Sequence, residues 1–226
     1  MPAAPDPART ATPGKGCQPP ADCALCPRLA AFLEEQRQLH PDWFNAPVPP
    51  FGPDDARLAI IGLAPGLRGA NRTGRPFTGD YAGDLLYETL LAHGFAEGRY
   101  QARPDDGLRL KDAVIINAVR CVPPQNKPTP AEIRACNAFL ECEFEARRPL
   151  RVVLALGRVA HDAVLMAHSM VRARHPFAHG AEHPLPGGKV LIDSYHCSRY
   201  NTQTRRLTPR MFDAVIARAR RLIEDA

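Results

Sequence analysis

The sequence predicts an α/β protein: a four-stranded parallel sheet flanked by helices on both faces, in three layers. Short apolar runs alternate with stretches of helical period, and several of the helical stretches open on start signals. An apolar run without polar alternation marks a strand buried on both faces, as parallel strands usually are. Alternation with helices then requires crossovers, and these are right-handed.

Residues 1–16 are rich in Pro and Ala and lack the apolar core of a signal peptide. They are expected to form a flexible leader before a single domain spanning 17–226. Residues 27–40 read as a helix, with Leu29, Phe32, Leu33 and Gln36 at helical spacing. The run 57–62 (RLAIIG) is the first buried strand. A glycine-rich loop leads to Tyr81, and 82–93 return as a helix. Residues 113–117 (AVIIN) form the second strand, followed by a proline-rich loop. Thr129, Pro130 and Glu132 then supply a cap, a first-turn proline and the second half of a capping box, opening a helix that runs to about residue 147. The third strand is 151–156 with its helix at 157–168, and the fourth strand is 189–193. Thr208 and Pro209 open a last helix, with Phe212, Val215, Ile216, Ala219 and Ile223 on one face.

Ligands bind such sheets outside the carboxyl ends of the strands. The loops after Gly62, Asn117 and Asp193 should therefore meet at one crevice. In the first, Gly62, Leu63, Ala64 and Gly66 let a backbone approach a ligand, Phe77 can stack on a ring, and Asp80 can cap the following helix. In the second, the Asn117 amide offers donors and an acceptor suited to a pyrimidine edge. In the third, His196 can donate to an oxygen where charge develops, and Ser198, Arg199 and Asn201 can hold phosphates. A formal charge of +5 suits an anionic partner, and Arg199, Arg205, Arg206 and Arg210 cluster around one polar loop. No apolar run approaches the roughly 18 residues of a membrane span, so a cytoplasmic chain is expected.

Seven cysteines without a secretion signal argue against a disulfide framework. Cys23 and Cys26 form a C-x2-C pair, Cys121 follows the second strand, and Cys136 shares a helix face with Ile133 and Leu140. Four thiolates of this kind can wrap a zinc ion or a four-iron cluster, and spacing does not choose between them. Cys17, taken with the leader, and Cys142, off the inner helix face, are left out of the set.

Together these pieces resemble the uracil-DNA glycosylase superfamily, most closely its family 5. The resemblance is carried by GLAPG at 62–66, NRTGRPFTGD at 71–80, NAVRCVPPQNKPTP at 117–130, DSYHCSRYNTQTRRLTP at 193–209 and the C-x2-C at 23–26. It implies a repair glycosylase that flips uracil, and hypoxanthine or xanthine, out of double-stranded DNA and hydrolyses the N-glycosidic bond; separately, a monomer is expected. It further implies a structural [4Fe-4S] cluster on Cys23, Cys26, Cys121 and Cys136. Phe77 would stack on the base, Asn117 would read it, and His196 would sit against the pyrimidine O2. Ser198, Arg199, Tyr200, Asn201 and Arg205 would meet the DNA. Leu63 and Ala64 occupy positions where other families carry an acid or amide, so Asp80 inherits the catalytic role. Cys197 replaces the usual proline of the third motif. The rival expectation is an iron–sulfur DNA-binding protein that recognises damage without cutting, with Cys197 as a reactive thiol.

Overall fold

The computed structural model describes residues 16–225, so expected leader residues 1–15 lie outside the described residues. In chain order the elements are α1 (Pro27–Leu39), β1 (Leu58–Gly62), α2 (Ala70–Thr73), α3 (Tyr81–Ala92), β2 (Ala96–Glu97), β3 (Arg109–Leu110) and β4 (Ala113–Asn117). They continue with α4 (Pro130–Ala146), β5 (Val152–Leu156), α5 (Arg158–Ala167), β6 (Glu182–Leu185), β7 (Lys189–Ser194), α6 (Arg199–Gln203) and α7 (Pro209–Glu224). The main sheet runs β4-β1-β5-β7-β6. The four expected strands pair in parallel, and β6 adds a fifth, antiparallel edge.

Every residue of β1, β4 and β5 is buried. Side chains alternate between two cores. Leu58, Ile60, Ile115 and Leu154 face α3 and α7, meeting Leu86, Leu90, Phe212 and Ile216. Ala59, Ile61, Val114 and Val153 face α4 and α5, meeting Leu140, Phe144, Ala163 and Val164. A third, smaller core joins α1 to α4 through Leu29, Leu33, Cys136 and Phe139. Each large aliphatic side chain so buried contributes about 1.5–3 kcal/mol before entropy is counted. All five residues expected on the inner face of α7 are buried there.

The capping box at α4 forms as expected. The Glu132 N–H donates to Thr129 Oγ1 at 3.3 Å, and the Thr129 N–H donates to Glu132 Oε2 at 2.7 Å. Arg28 from α1 then clamps the same carboxylate at 2.7 Å. Thr129→Ala should therefore cost about 1 kcal/mol, read as a lower urea midpoint at unchanged m.

Two cysteine expectations change. Cys17 is bonded to Cys142, fixing residue 17 onto α4 instead of leaving it with a loose leader. Cys142 is off the inner face of its helix, as expected, and that outer position is where the incoming segment reaches it. Cys197 is fully buried in the core beneath the sheet's carboxyl edge. Burial pushes its thiol up to about 12, so it is not the reactive thiolate of the rival expectation. Among the described residues, no helix is long and apolar enough to cross a membrane.

Candidate active site

The strand order places a topological switch beside β1, whose neighbours are β4 on one side and β5 on the other. A crevice is expected at that point, beyond the strand ends. A pocket of about 240 Å³ lies there, lined by residues of all three expected loops. Leu63, Ala64 and Gly66 come from the first loop, with Phe77 and Asp80 from its far end. Asn117 comes from the second, and His196 and Ser198 from the third. The volume is below the roughly 300–1,000 Å³ of drug-sized sites and suits a single heterocycle.

β-pairing draws the first two loops together. Gly62 is in register with Asn117, and the Ala118 and Val119 N–H groups donate to the Gly62 and Leu63 carbonyls at 2.9 and 3.0 Å. A Cβ on Gly62 would stand 2.5 Å from Asn117 Oδ1 and 2.9 Å from the Phe77 ring. Only glycine permits that approach. Asn117 is 3% exposed, and its amide has no hydrogen-bond partner among the described residues. Its donors and acceptor are thus left for whatever enters the pocket.

Phe77 holds a left-handed backbone, φ 52°, which an aromatic residue adopts only under constraint. The constraint is a buried frame. Tyr100 Oη donates to the Phe77 carbonyl at 3.1 Å and Tyr87 Oη to the Pro76 carbonyl at 2.5 Å. Arg75 Nε donates to Thr78 Oγ1 at 2.7 Å, while its two terminal nitrogens each reach the Asp106 carboxylate at 2.8 Å. The Arg75 guanidinium lies over the rings of Phe51, Tyr87 and Tyr100. Tyr100 and Asp106 were not legible as part of the site, because nothing near them in sequence marks their contact with residues 75–77.

Asp80 does two things with two oxygens. Oδ1 caps α3, accepting from the Gly83 N–H at 3.3 Å. Oδ2 turns toward the first loop, where a Cβ on Gly69 would come within 2.6 Å of it and one on Gly66 within 3.5 Å. Burial raises the Asp80 pKa; the Gly83 and Ala82 N–H groups pull it back in part, and Asp84 adds to the rise. His196 lies with its ring 5.8 Å from the Phe77 ring, at 29° to it. Burial lowers its pKa to about 4, so at neutral pH it is a neutral imidazole with one N–H to offer. Its carbonyl is tied by Asn201 Nδ2 at 2.8 Å.

Beyond Ser198, the remaining residues of the third loop stand outside the pocket lining. Ser198 Oγ caps the short α6, on which Arg199, Tyr200 and Asn201 lie; Tyr200 is 71% exposed. Arg199 covers the Tyr81 ring, and Arg205 is exposed just beyond α6. Asn126, with Ala70 and Ala82, completes the lining and was not singled out in the sequence. Its position in the proline-rich loop after β4 was the only signal.

Cys23, Cys26, Cys121 and Cys136 all line one small apolar pocket between α1 and α4. The Arg120 N–H donates to Cys136 Sγ at 3.4 Å. No three of these sulfurs lie mutually within 4.8 Å. A single zinc ion at about 2.3 Å from each would hold them roughly 3.8 Å apart, so the four thiols are more openly set than a zinc cage.

A doubly wound α/β domain with a base-sized crevice at its switch point is the class these features define. The model of the uracil DNA glycosylase superfamily matches residues 49–220. A type-5 uracil-DNA glycosylase of Thermus thermophilus is 49% identical over 206 residues, covering 88% of this chain and 93% of that protein. Another, of Pyrobaculum aerophilum, is 40% identical over 202 residues, covering 88% of each. A type-4 uracil-DNA glycosylase of Archaeoglobus fulgidus is 39% identical over 114 residues, about half of each chain. The chain belongs to the uracil-DNA glycosylase superfamily, in its type-5 branch.

Proposed function

We propose that this chain is a DNA-repair glycosylase that flips uracil, and also hypoxanthine and xanthine, out of double-stranded DNA and hydrolyses the N-glycosidic bond, leaving an abasic site. The observation that carries the reading is the convergence of Asp80, Asn117, Phe77 and His196 on one pocket of base size. Flipping costs a few kcal/mol, least where the base is already mispaired. Phe77 takes the face of the flipped base and Asn117 its hydrogen-bonding edge. As the bond between C1′ and the base nitrogen breaks, its electron pair leaves with the base. The neutral His196 N–H and the amides of the Gly62–Gly66 loop meet that charge. Oδ2 of Asp80 faces the positive sugar and orients the water whose oxygen bonds to C1′, accepting the proton that the water loses. Ser198, Arg199, Tyr200, Asn201 and Arg205 face the duplex; Tyr200 or Arg199 fills the vacated stack.

Uracil-containing duplex incubated with the protein and then treated with alkali tests the activity. Scission at the uracil is the expected result; retention of the duplex without scission would establish a binder. Asn117→Ala should slow uracil excision about tenfold or more, since a buried edge left unread costs about 1–3 kcal/mol. Hypoxanthine excision should fall less, and equal losses in single-turnover assays would remove Asn117 as the pyrimidine reader.

The cysteine pocket fits a [4Fe-4S] cluster in its donor set: four thiols, all at one apolar pocket and one of them receiving a backbone N–H. Cys23, Cys26, Cys121 and Cys136 would hold it, and it would supply a cross-link between the segment before α1 and α4. Iron and acid-labile sulfide in the purified protein, lost together in Cys136→Ser, are the expected result.

A further inference from the structure

A second cluster of ligand-bearing side chains sits away from both the cysteines and the pocket. His161 on α5, His183 on β6 and Asp193 on β7 are all buried, and their donor atoms lie within 4.8 Å of one another. His161 Nδ1 is 2.8 Å from Asp193 Oδ1, and His183 Nε2 is 3.2 Å from Asp193 Oδ2. Two imidazole nitrogens thus face the two oxygens of one carboxylate that is 0% exposed.

The protons decide what belongs between them. His161 Nε2 lies 2.9 Å from the His175 carbonyl, which only accepts, so that nitrogen carries hydrogen. His161 Nδ1 is aimed at a carboxylate oxygen 2.8 Å away, so the pair shares one cation, either a second ring proton or a metal ion. Two lone pairs cannot bond each other; a cation between them can bond both. We propose that His161 Nδ1, His183 Nε2 and the Asp193 carboxylate form a site for a zinc-class divalent ion, with a fourth position for water.

The outer contacts match such a site. Ligating histidines almost always give their second N–H to a carbonyl or carboxylate, as His161 does to His175. The Ala178 N–H, 3.4 Å from Asp193 Oδ2, supports the carboxylate in the same way. Zinc bonds of about 2.0–2.2 Å to nitrogen and oxygen place neighbouring donors roughly 3–3.5 Å apart, close to the two histidine–carboxylate separations of 2.8 and 3.2 Å. Two imidazoles and a carboxylate favour zinc over calcium or magnesium. The ion would join three elements: it would pin the antiparallel edge strand β6 and helix α5 to β7, three residues before His196. Its role is therefore structural, holding the root of the third loop.

The test uses the full-length protein with its cysteine site intact. Elemental analysis after zinc loading and desalting should show about one zinc per chain, retained in Cys23→Ser and lost in His183→Gln. Cobalt(II) bound to the wild-type chain should give weak ligand-field bands without a thiolate charge-transfer band. Zinc addition should raise the Tm of the wild type by several degrees and leave that of His183→Gln unchanged. Zinc lost in Cys23→Ser but kept in His183→Gln would overturn the proposal. So would nitrogen NMR of the zinc-loaded wild type showing both His161 ring nitrogens protonated, because the pair would then be a buried imidazolium and aspartate. Both spectroscopic arms read the wild-type chain, so misfolding of a variant does not blur them.

Discussion

Asp80→Asn should slow single-turnover excision from a U·G duplex about 10²–10³-fold, the usual loss for one preorganised charge stabiliser. The same substitution should leave stability almost unchanged, since asparagine caps a helix as well as aspartate does. That split separates the two oxygens. Oδ1 accepts from Gly83 and serves α3, whereas Oδ2 faces the Gly66–Gly69 turn and the pocket. Were Asp80 only a cap, Asp80→Asn would keep both rate and stability. Asp80→Ala should lose the rate and also about 1 kcal/mol of stability. The pH profile adds an independent reading. Burial raises the Asp80 pKa, so the group stays protonated, and the rate low, to a higher pH than an ordinary aspartate would. Excision should therefore fall as pH drops through the raised pKa, and the Asp80→Asn profile should lack the fall. His196, held down to about 4, is neutral at neutral pH and adds no limb there.

Much of this site was legible because the sheet is buried on both faces. Continuous runs such as Leu58–Gly62 and Ala113–Asn117 betray central parallel strands, and the rule placing ligands at their carboxyl ends pointed to three loops. β6 was missed for the converse reason. Its four residues alternate exposed and buried, and Pro184 lies within it, tolerated only because the strand is an edge. The Cys17–Cys142 bond joins residues 125 apart, and spacing carries no signal for such a pair. Nor could pattern show that Asn201 turns its amide onto the His196 carbonyl, or that His161, His183 and Asp193 meet across three elements. Local chemistry is written in local sequence; contacts between elements appear only once the chain has folded.

Asp106 is the sharpest case, and its loss should have the largest effect on stability. Its side chain is 0% exposed and that of Arg75 only 6%. Asp106→Ala would leave a buried guanidinium that cannot deprotonate, at a cost of about 3–5 kcal/mol in urea unfolding. The pH dependence carries the same signature. Burial pushes the Asp106 carboxyl up, but Arg75 and the Gln101 and Leu108 N–H groups outweigh it and hold its pKa well below the carboxylate range. A depressed folded pKa means stability that is full above the unfolded value of about 3.9 and drains away as pH falls toward the folded value. Asp106→Ala should remove that acid-side loss. Activity should suffer through a different route. Arg75 with Tyr87 and Tyr100 holds residues 75–78 so that Phe77 keeps its left-handed backbone, a conformation costing about 1–3 kcal/mol that persists only while its surroundings impose it. A double variant, Arg75→Met with Asp106→Leu, replaces the ion pair by apolar groups and should recover most of the stability. It should not recover excision, because a thioether side chain cannot donate to Thr78 and Phe77 is released. Recovery of both would mean that the pair serves the core alone and that Phe77 holds its place without it.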